Sequence, residues 1–265
     1  MGDGVGHLSH SGTMSSELQD SIQTVGFLSA EMGQYRVAYR ARYRAAFERF
    51  EAVSSTATTA LFDLQIADLD FVQTIGVLFW MKCVAHCQGA FLMLENGMAN
   101  QAQVLIRSAV EHLFFACAVL RDHTVVHRLA AVEDSQRRVQ AQGMLRLSSL
   151  TPEQRQDLEN FVGGLAAGGK GITAFDAAHI AGQEDLYQTV YRGLSLIAAH
   201  GTLSSVDSFL EVDELDDQHA QIRFGPSPQK IEWTLDLATT LLHRGLQQFE
   251  HLGPHQLPQP TSPRP

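Results

Sequence analysis

Proline is almost missing from most of this chain. Of its eight prolines only Pro152 precedes residue 226, and five crowd the closing stretch GPHQLPQPTSPRP. Proline breaks helix interiors, so a body without it leaves long helices open, whereas residues 253–265 read as a disordered Pro-rich tail. Cysteine is scarce as well. Three residues, none in a CxxC pair, exclude a disulfide framework and point to a reducing interior. Basic charge is in deficit: 29 acidic residues against 19 basic ones give a formal charge of −10. Such a chain gains nothing from long-range attraction to nucleic acid or anionic membrane, so contact with RNA would need a local basic patch. The longest apolar candidate, FVQTIGVLFWMKCVAHCQGAFLML, is interrupted by Gln73, Lys82, His86 and Gln88, short of the roughly 18 apolar residues of a membrane span. The opening MGDGVGHLSHSGTMSS has no basic segment leading into an apolar one and does not read as a signal peptide. A cytoplasmic protein without membrane contact is expected.

What is present suits one domain: 265 residues, 45% hydrophobic and 18% charged. The expected organisation is a disordered tail over 1–15, a single helical-bundle domain over 16–252, and the tail 253–265. Between the tails the apolar spacing is largely helical. It predicts helices near 17–32, 34–53, 56–67, 69–96, 99–121 and 124–147. A further one opens at Thr151-Pro152-Glu153-Gln154, a capping box with proline at the first helical position, and ends in Gly163-Gly164. Helices also fit 183–200, 203–214 and 228–251, with QIRFG as a short extended segment before the last. The short turn after Asn96-Gly97 pairs 69–96 with 99–121 as an antiparallel hairpin at the centre of the core. The fold class is therefore all-α, an up-and-down bundle of about six to eight helices.

Several motifs resemble sites and are read otherwise. GLAAGGK, residues 164–170, has phosphate-loop spacing, but a helix precedes it and Gly171 replaces the Ser or Thr that would hold magnesium. It reads as a glycine linker. Cys83, His86 and Cys87 share one helix face, with Cys117 near that level across the hairpin. They have the chemistry of a zinc site, yet buried free cysteines are ordinary core residues. His123 and His127 form half a metal site without the glutamate of HExxH. Neither group is adopted as a metal site, and no cofactor is expected.

Two other features carry more. In QYRVAYRARYRAAFERF, Tyr35, Tyr39, Tyr43 and Phe47 recur every fourth residue beside Arg36, Arg40 and Arg44. The favoured reading is an aromatic core face with arginine stems laid along it. The alternative is a cationic, stacking-capable surface for RNA. Second, in LIRSAVEH, residues 105–112, a helix entering the apolar run LFFACAVL carries Arg107, Glu111 and His112. At about 100° per residue, Asn100, Gln103, Arg107 and Glu111 form one stripe that continues into Phe114. A stripe that runs into phenylalanine is partly covered, and a covered arginine needs partners beyond a glutamate one turn away. Tyr191, Ser195 and His200 in YRGLSLIAAHG are the natural ones, and they would make a polar network that fixes helix register.

LENGMANQAQVLIRSAVEH followed by YRGLSLIAAHG resembles a bacterial family called domain of unknown function 5677. Its pattern falls here on Gly97, Ala102, Arg107, Ser108, Glu111, Tyr191, Ser195 and His200, within roughly residues 70–250. That name implies no activity. Arg107 followed by His112 also resembles the Arg-x4–6-His motif of HEPN-type helical proteins, many of them ribonucleases of toxin–antitoxin and phage-defence systems. That likeness implies a homodimer in which two motifs meet and cleavage of RNA without metal. Arg107 would clamp the phosphate, His112 or His200 would move protons, and Ser108, Glu111, Tyr191 and Ser195 would orient them. Two readings stand side by side: this RNA-cleaving or RNA-binding protein, and a non-catalytic regulatory or partner-binding bundle with a structural Arg/Glu/Tyr/His network.

Overall fold

The computed structural model describes residues 21–22, 24–166, 168–199, 201–206, 209–213, 216–222 and 224–252. Both expected tails lie outside this range. The helices are α1 (Met32–Arg42), α2 (Arg44–Asp63), α3 (Phe71–Glu95), α4 (Ala99–Arg121), α5 (Thr124–Leu145), α6 (Pro152–Gly164), α7 (Ala174–Ile180), α8 (184–199), α9 (Leu203–Val206) and α10 (Ile231–Phe249). Eight of them run eleven residues or more among the described residues, so the all-α bundle is the architecture.

The centre is the α3–α4 hairpin. Asp70 caps α3 by accepting from the Gln73 backbone N–H, while the Gln73 side chain accepts from the Asp70 N–H. Gly97 turns the chain with φ of 67°. A side chain there would meet the Tyr39 ring and Pro226 at under 3 Å, and the Gly97 carbonyl accepts from the Ser227 N–H at 2.9 Å. Glycine is needed for both the angle and the space. Helix α4 is the most enclosed element: Ile106, Ala109, Val110, Leu113, Phe114, Ala116 and Cys117 are fully buried. Around it pack α3, α7, α8 and α10. Gly245 of α10 lets Trp80 lie flat against the helix, and the Trp80 ring stacks on Phe249 at 5.8 Å.

Four expectations are corrected. The predicted helices 34–53 and 56–67 are instead α1 and α2, with the break at Tyr43 rather than at Ser54-Ser55. Tyr43 leaves helical geometry (φ −108°, ψ 27°) and its hydroxyl donates to the Pro228 carbonyl at 3.1 Å. Ser54 is buried within α2, and Thr56 satisfies its hydroxyl on the Ala52 carbonyl one turn back. The predicted helix 17–32 is interrupted by a 3₁₀ turn at Gly26–Leu28, where Gly26 has φ of 64°. Helix α7 was not expected, although Thr173 and Asp176 form a capping box. The predicted helix 203–214 stops at Val206. The chain then forms an antiparallel hairpin, β1 (Leu210–Asp213) and β2 (Asp216–Ile222), with Leu210 opposite Ile222. The alternation Leu-Glu-Val-Asp is a period of two, which suits a strand. Gln221 and Ile222, in the segment read as extended, belong to β2.

By length and apolar character both α3 and α4 match a membrane-spanning helix. For α4 the explanation is burial inside the bundle. Only 39% of the most apolar stretch of α3 is buried, which leaves an outward apolar face.

Candidate functional site

The site is a polar seam between α4 and α8. Arg107 Nη1 pairs with Glu111 Oε2 at 2.7 Å along α4, and Nη2 donates to the Tyr191 hydroxyl at 2.6 Å. Its Nε reaches Ser195 Oγ at 3.4 Å. The Tyr191 hydroxyl in turn donates to Glu111 Oε2 at 3.1 Å, and Ser195 Oγ donates to the Tyr191 carbonyl at 2.7 Å. The guanidinium carbon also lies 4.6 Å from the centre of the Tyr191 ring. Four residues thus close a loop in which one cation, one anion and a phenol satisfy one another. Burial, then the neighbouring carboxylate, pushes the Tyr191 hydroxyl up to about 12. It stays protonated at neutral pH and acts as a donor to Glu111.

The backbone of α8 contributes to this placement. Tyr187–Tyr191 and Ser195–Ala199 are π-helical turns, separated by a short α-helical piece, Arg192–Leu194. Such wide turns are rare and cluster at functional sites. Here they hold Tyr191 and Ser195 against one arginine. The helix is anchored from outside by Arg244 of α10, which bonds both carboxylate oxygens of Asp185 at 2.9 and 3.4 Å. No local sequence signal joins residues 59 positions apart. One turn before Arg107 on α4, Gln103 is 1% exposed and its amide nitrogen has no acceptor among the described residues.

The seam is neither sealed nor open. The Arg107 and Glu111 side chains keep 23% and 29% of their surface exposed, so solvent reaches the pair from one side.

His112 does not join them. It turns onto α3, where its Nδ1 donates to the Ser108 carbonyl at 2.6 Å and its ring lies 5.0 Å from His86 and 6.0 Å from Phe79. Burial, then Lys82, pulls His112 below the usual histidine range, against the opposing pull of the Ser108 bond. His86 is lowered first by burial, then by His112 and Lys82. Ser108 enters the site through its carbonyl. His200 lies outside the described residues.

The basic stripe is largely engaged. Arg36 donates to Asn96 Oδ1 at 3.2 Å; Arg40 pairs with both Glu95 and Glu51 and lies over the Phe47 and Phe91 rings. Arg44 is exposed. Tyr35, Tyr39 and Phe47 are buried, so the aromatic stripe forms a core face. Cys83 and Cys87 are buried on the core side of α3, while His86 is half-buried beside His112. Cys117 accepts from Gln183 Nε2 at 3.3 Å. Burial pushes the Cys117 thiol up to about 12, and Cys83 well above its ordinary value. No group of three or more metal-ligating side chains occurs among the described residues.

A helical bundle with a charged clamp between its most buried helix and a π-containing partner is the class of protein these observations define. The chain belongs to a family of unknown function, DUF5677, whose model matches residues 73–219. That span holds Arg107, Glu111, Tyr191 and Ser195, but not α1, α2 or α10, which close the core around it. No curated protein and no solved structure matches the chain.

Proposed function

We propose that the protein works by association rather than catalysis: a helical bundle that pairs with a second copy through α3. The observation that carries this is the outward face of α3. Phe71, Leu78, Met81 and Leu92 are 70%, 49%, 46% and 55% exposed, and they recur at helical spacing over about 30 Å. Apolar stripes of that length mark interaction surfaces. Beside them runs a groove of about 320 Å³ between α3 and α5, lined by Ile75, Leu78, Phe79, Val126, Leu129 and Ala130 and bordered by Lys82 and Glu133. One cation and one anion at the same groove suit a two-fold pairing, in which each Lys82 faces the other copy's Glu133. In this reading the Arg107 network is a structural clamp, since its cation is already matched by Glu111.

The test is solution mass by light scattering or sedimentation. A dimer for the wild type and a monomer for Leu78→Asp/Met81→Asp is expected. A monomer at all concentrations, or partition of the wild type onto phospholipid vesicles, would overturn the reading.

RNA cleavage of the HEPN kind is the second reading, favoured by one observation. His112 has its Nδ1 proton fixed by Ser108 and so keeps Nε2 as a free base on the same helix as a partly exposed arginine. Pure protein incubated with mixed RNA in EDTA tests it. Cleavage lost in His112→Ala supports it, and intact RNA counts against it.

A further inference from the structure

The two histidines that meet on α3 and α4 belong to neither the clamp nor the apolar stripe. We propose that His86 and His112 form a two-histidine site for a divalent transition-metal ion of the zinc and nickel class, open to water at its remaining positions.

The first support is distance. Two imidazoles on one tetrahedral ion, with metal–nitrogen bonds of about 2.0–2.1 Å, place their ring centres about 5 Å apart. The His86 and His112 centres are 5.0 Å apart, with planes inclined at 51°. The second is orientation. A ligating histidine usually donates its other ring N–H to a carbonyl or carboxylate, which fixes the tautomer. His112 does so: Nδ1 donates to the Ser108 carbonyl at 2.6 Å, so Nε2 carries the lone pair. His86 makes no hydrogen bond among the described residues and has both nitrogens to offer. The rings are half-buried, not sealed, so an ion can reach them.

The charged neighbours of His112 are Lys82 of α3 and Arg107 and Glu111 of α4. Lys82, one turn from His86, opposes a dication. Removing that charge should tighten the site. Cys83 and Cys87 are one turn or less from His86 in sequence but are fully buried in the core, so the expected ligand set is nitrogen and water without sulfur. The site lies within one protomer and does not depend on pairing through α3.

Zinc chloride titrated into the full-length protein, followed by calorimetry at pH 7.5, is the test. One zinc per chain should be lost, or weakened at least tenfold, in His86→Gln and separately in His112→Gln. Lys82→Gln should bind more tightly, and His127→Gln, on the exposed His123–His127 pair, should leave binding unchanged. Histidine ring NMR of the wild type gives a readout independent of variant folding: the His86 and His112 signals should shift together on adding zinc. Absence of saturable binding, equal binding by both variants, or histidine signals that stay still would overturn the site. So would a thiolate-to-metal charge-transfer band with cobalt, which would assign the ion to Cys83 and Cys87 instead.

Discussion

Helix α4 carries two polar clusters on neighbouring faces, and they differ in how much bonding capacity each keeps. Toward α8, Arg107, Glu111, Tyr191 and Ser195 use one another up. Toward α3, His112 makes one bond to its own helix and leaves a ring nitrogen open, beside a histidine that makes none among the described residues. The first arrangement is that of a fastening, since each guanidinium nitrogen of Arg107 already has an acceptor. The second keeps capacity in hand, with two imidazole rings in contact at 5.0 Å between centres. Sequence position hides this difference, because Arg107 and His112 are only five residues apart. The turn of the helix separates them by about 140°, which is enough to give them different partners and different chemistry.

The largest loss of stability is expected at Arg107. Arg107→Met removes the cation and strands the Glu111 carboxylate at a partly covered seam. Losing one partner of a buried pair costs about 3–5 kcal/mol; with about a quarter of this pair exposed, about 2–3 kcal/mol in urea unfolding is expected. A smaller cost than from Tyr191→Phe would mean that the guanidinium is no part of the fastening. Tyr191→Phe keeps the ring under the guanidinium but deletes the hydroxyl bridge, for about 1 kcal/mol.

On the other face the expected effect is a pH dependence. His86 and His112 are lowered in the folded state, so the unfolded chain binds more protons just below the ordinary histidine pKa, about 6.5. Their contribution is then complete above that value and is lost as the pH falls through it. The midpoint of thermal unfolding should fall from pH 7.5 to 5.5, and His86→Gln/His112→Gln should flatten that slope. An unchanged slope would remove the distinction between the faces. Smallest of all, Ser195→Ala loses one long contact of 3.4 Å to Arg107, worth roughly a few tenths of a kcal/mol.

Much of the frame was legible because its signals are local. Asn96-Gly97 marked the central turn, and Thr151-Gln154 marked the start of α6. The 100° stripe made Arg107 and Glu111 a pair and asked for outside partners; the structure brings Tyr191 and Ser195 to them. What was not legible depends on contacts between distant residues. Tyr43 breaks a helix because Pro228 is there to accept its hydroxyl. His86 and Cys83 share a helix face in projection, yet the core takes the thiol and leaves the imidazole to His112. The π turns of α8 have no glycine or proline to announce them within Tyr187–Tyr191 or Ser195–Ala199.

Those two wide turns also set how the chain can change length. A π turn holds about one residue more than an α turn covering the same stretch of axis. Removing one residue within Tyr187–Tyr191 would let the turn close to ordinary α-helix without tearing α8 from its anchor at Arg244 or from the hairpin beyond it. Insertions or deletions elsewhere in the bundle rotate everything downstream by about 100° per residue and misplace a face of the core. Helix α8 can instead absorb a residue by changing its winding, so the seam lies in the one long helix with built-in slack among the described residues.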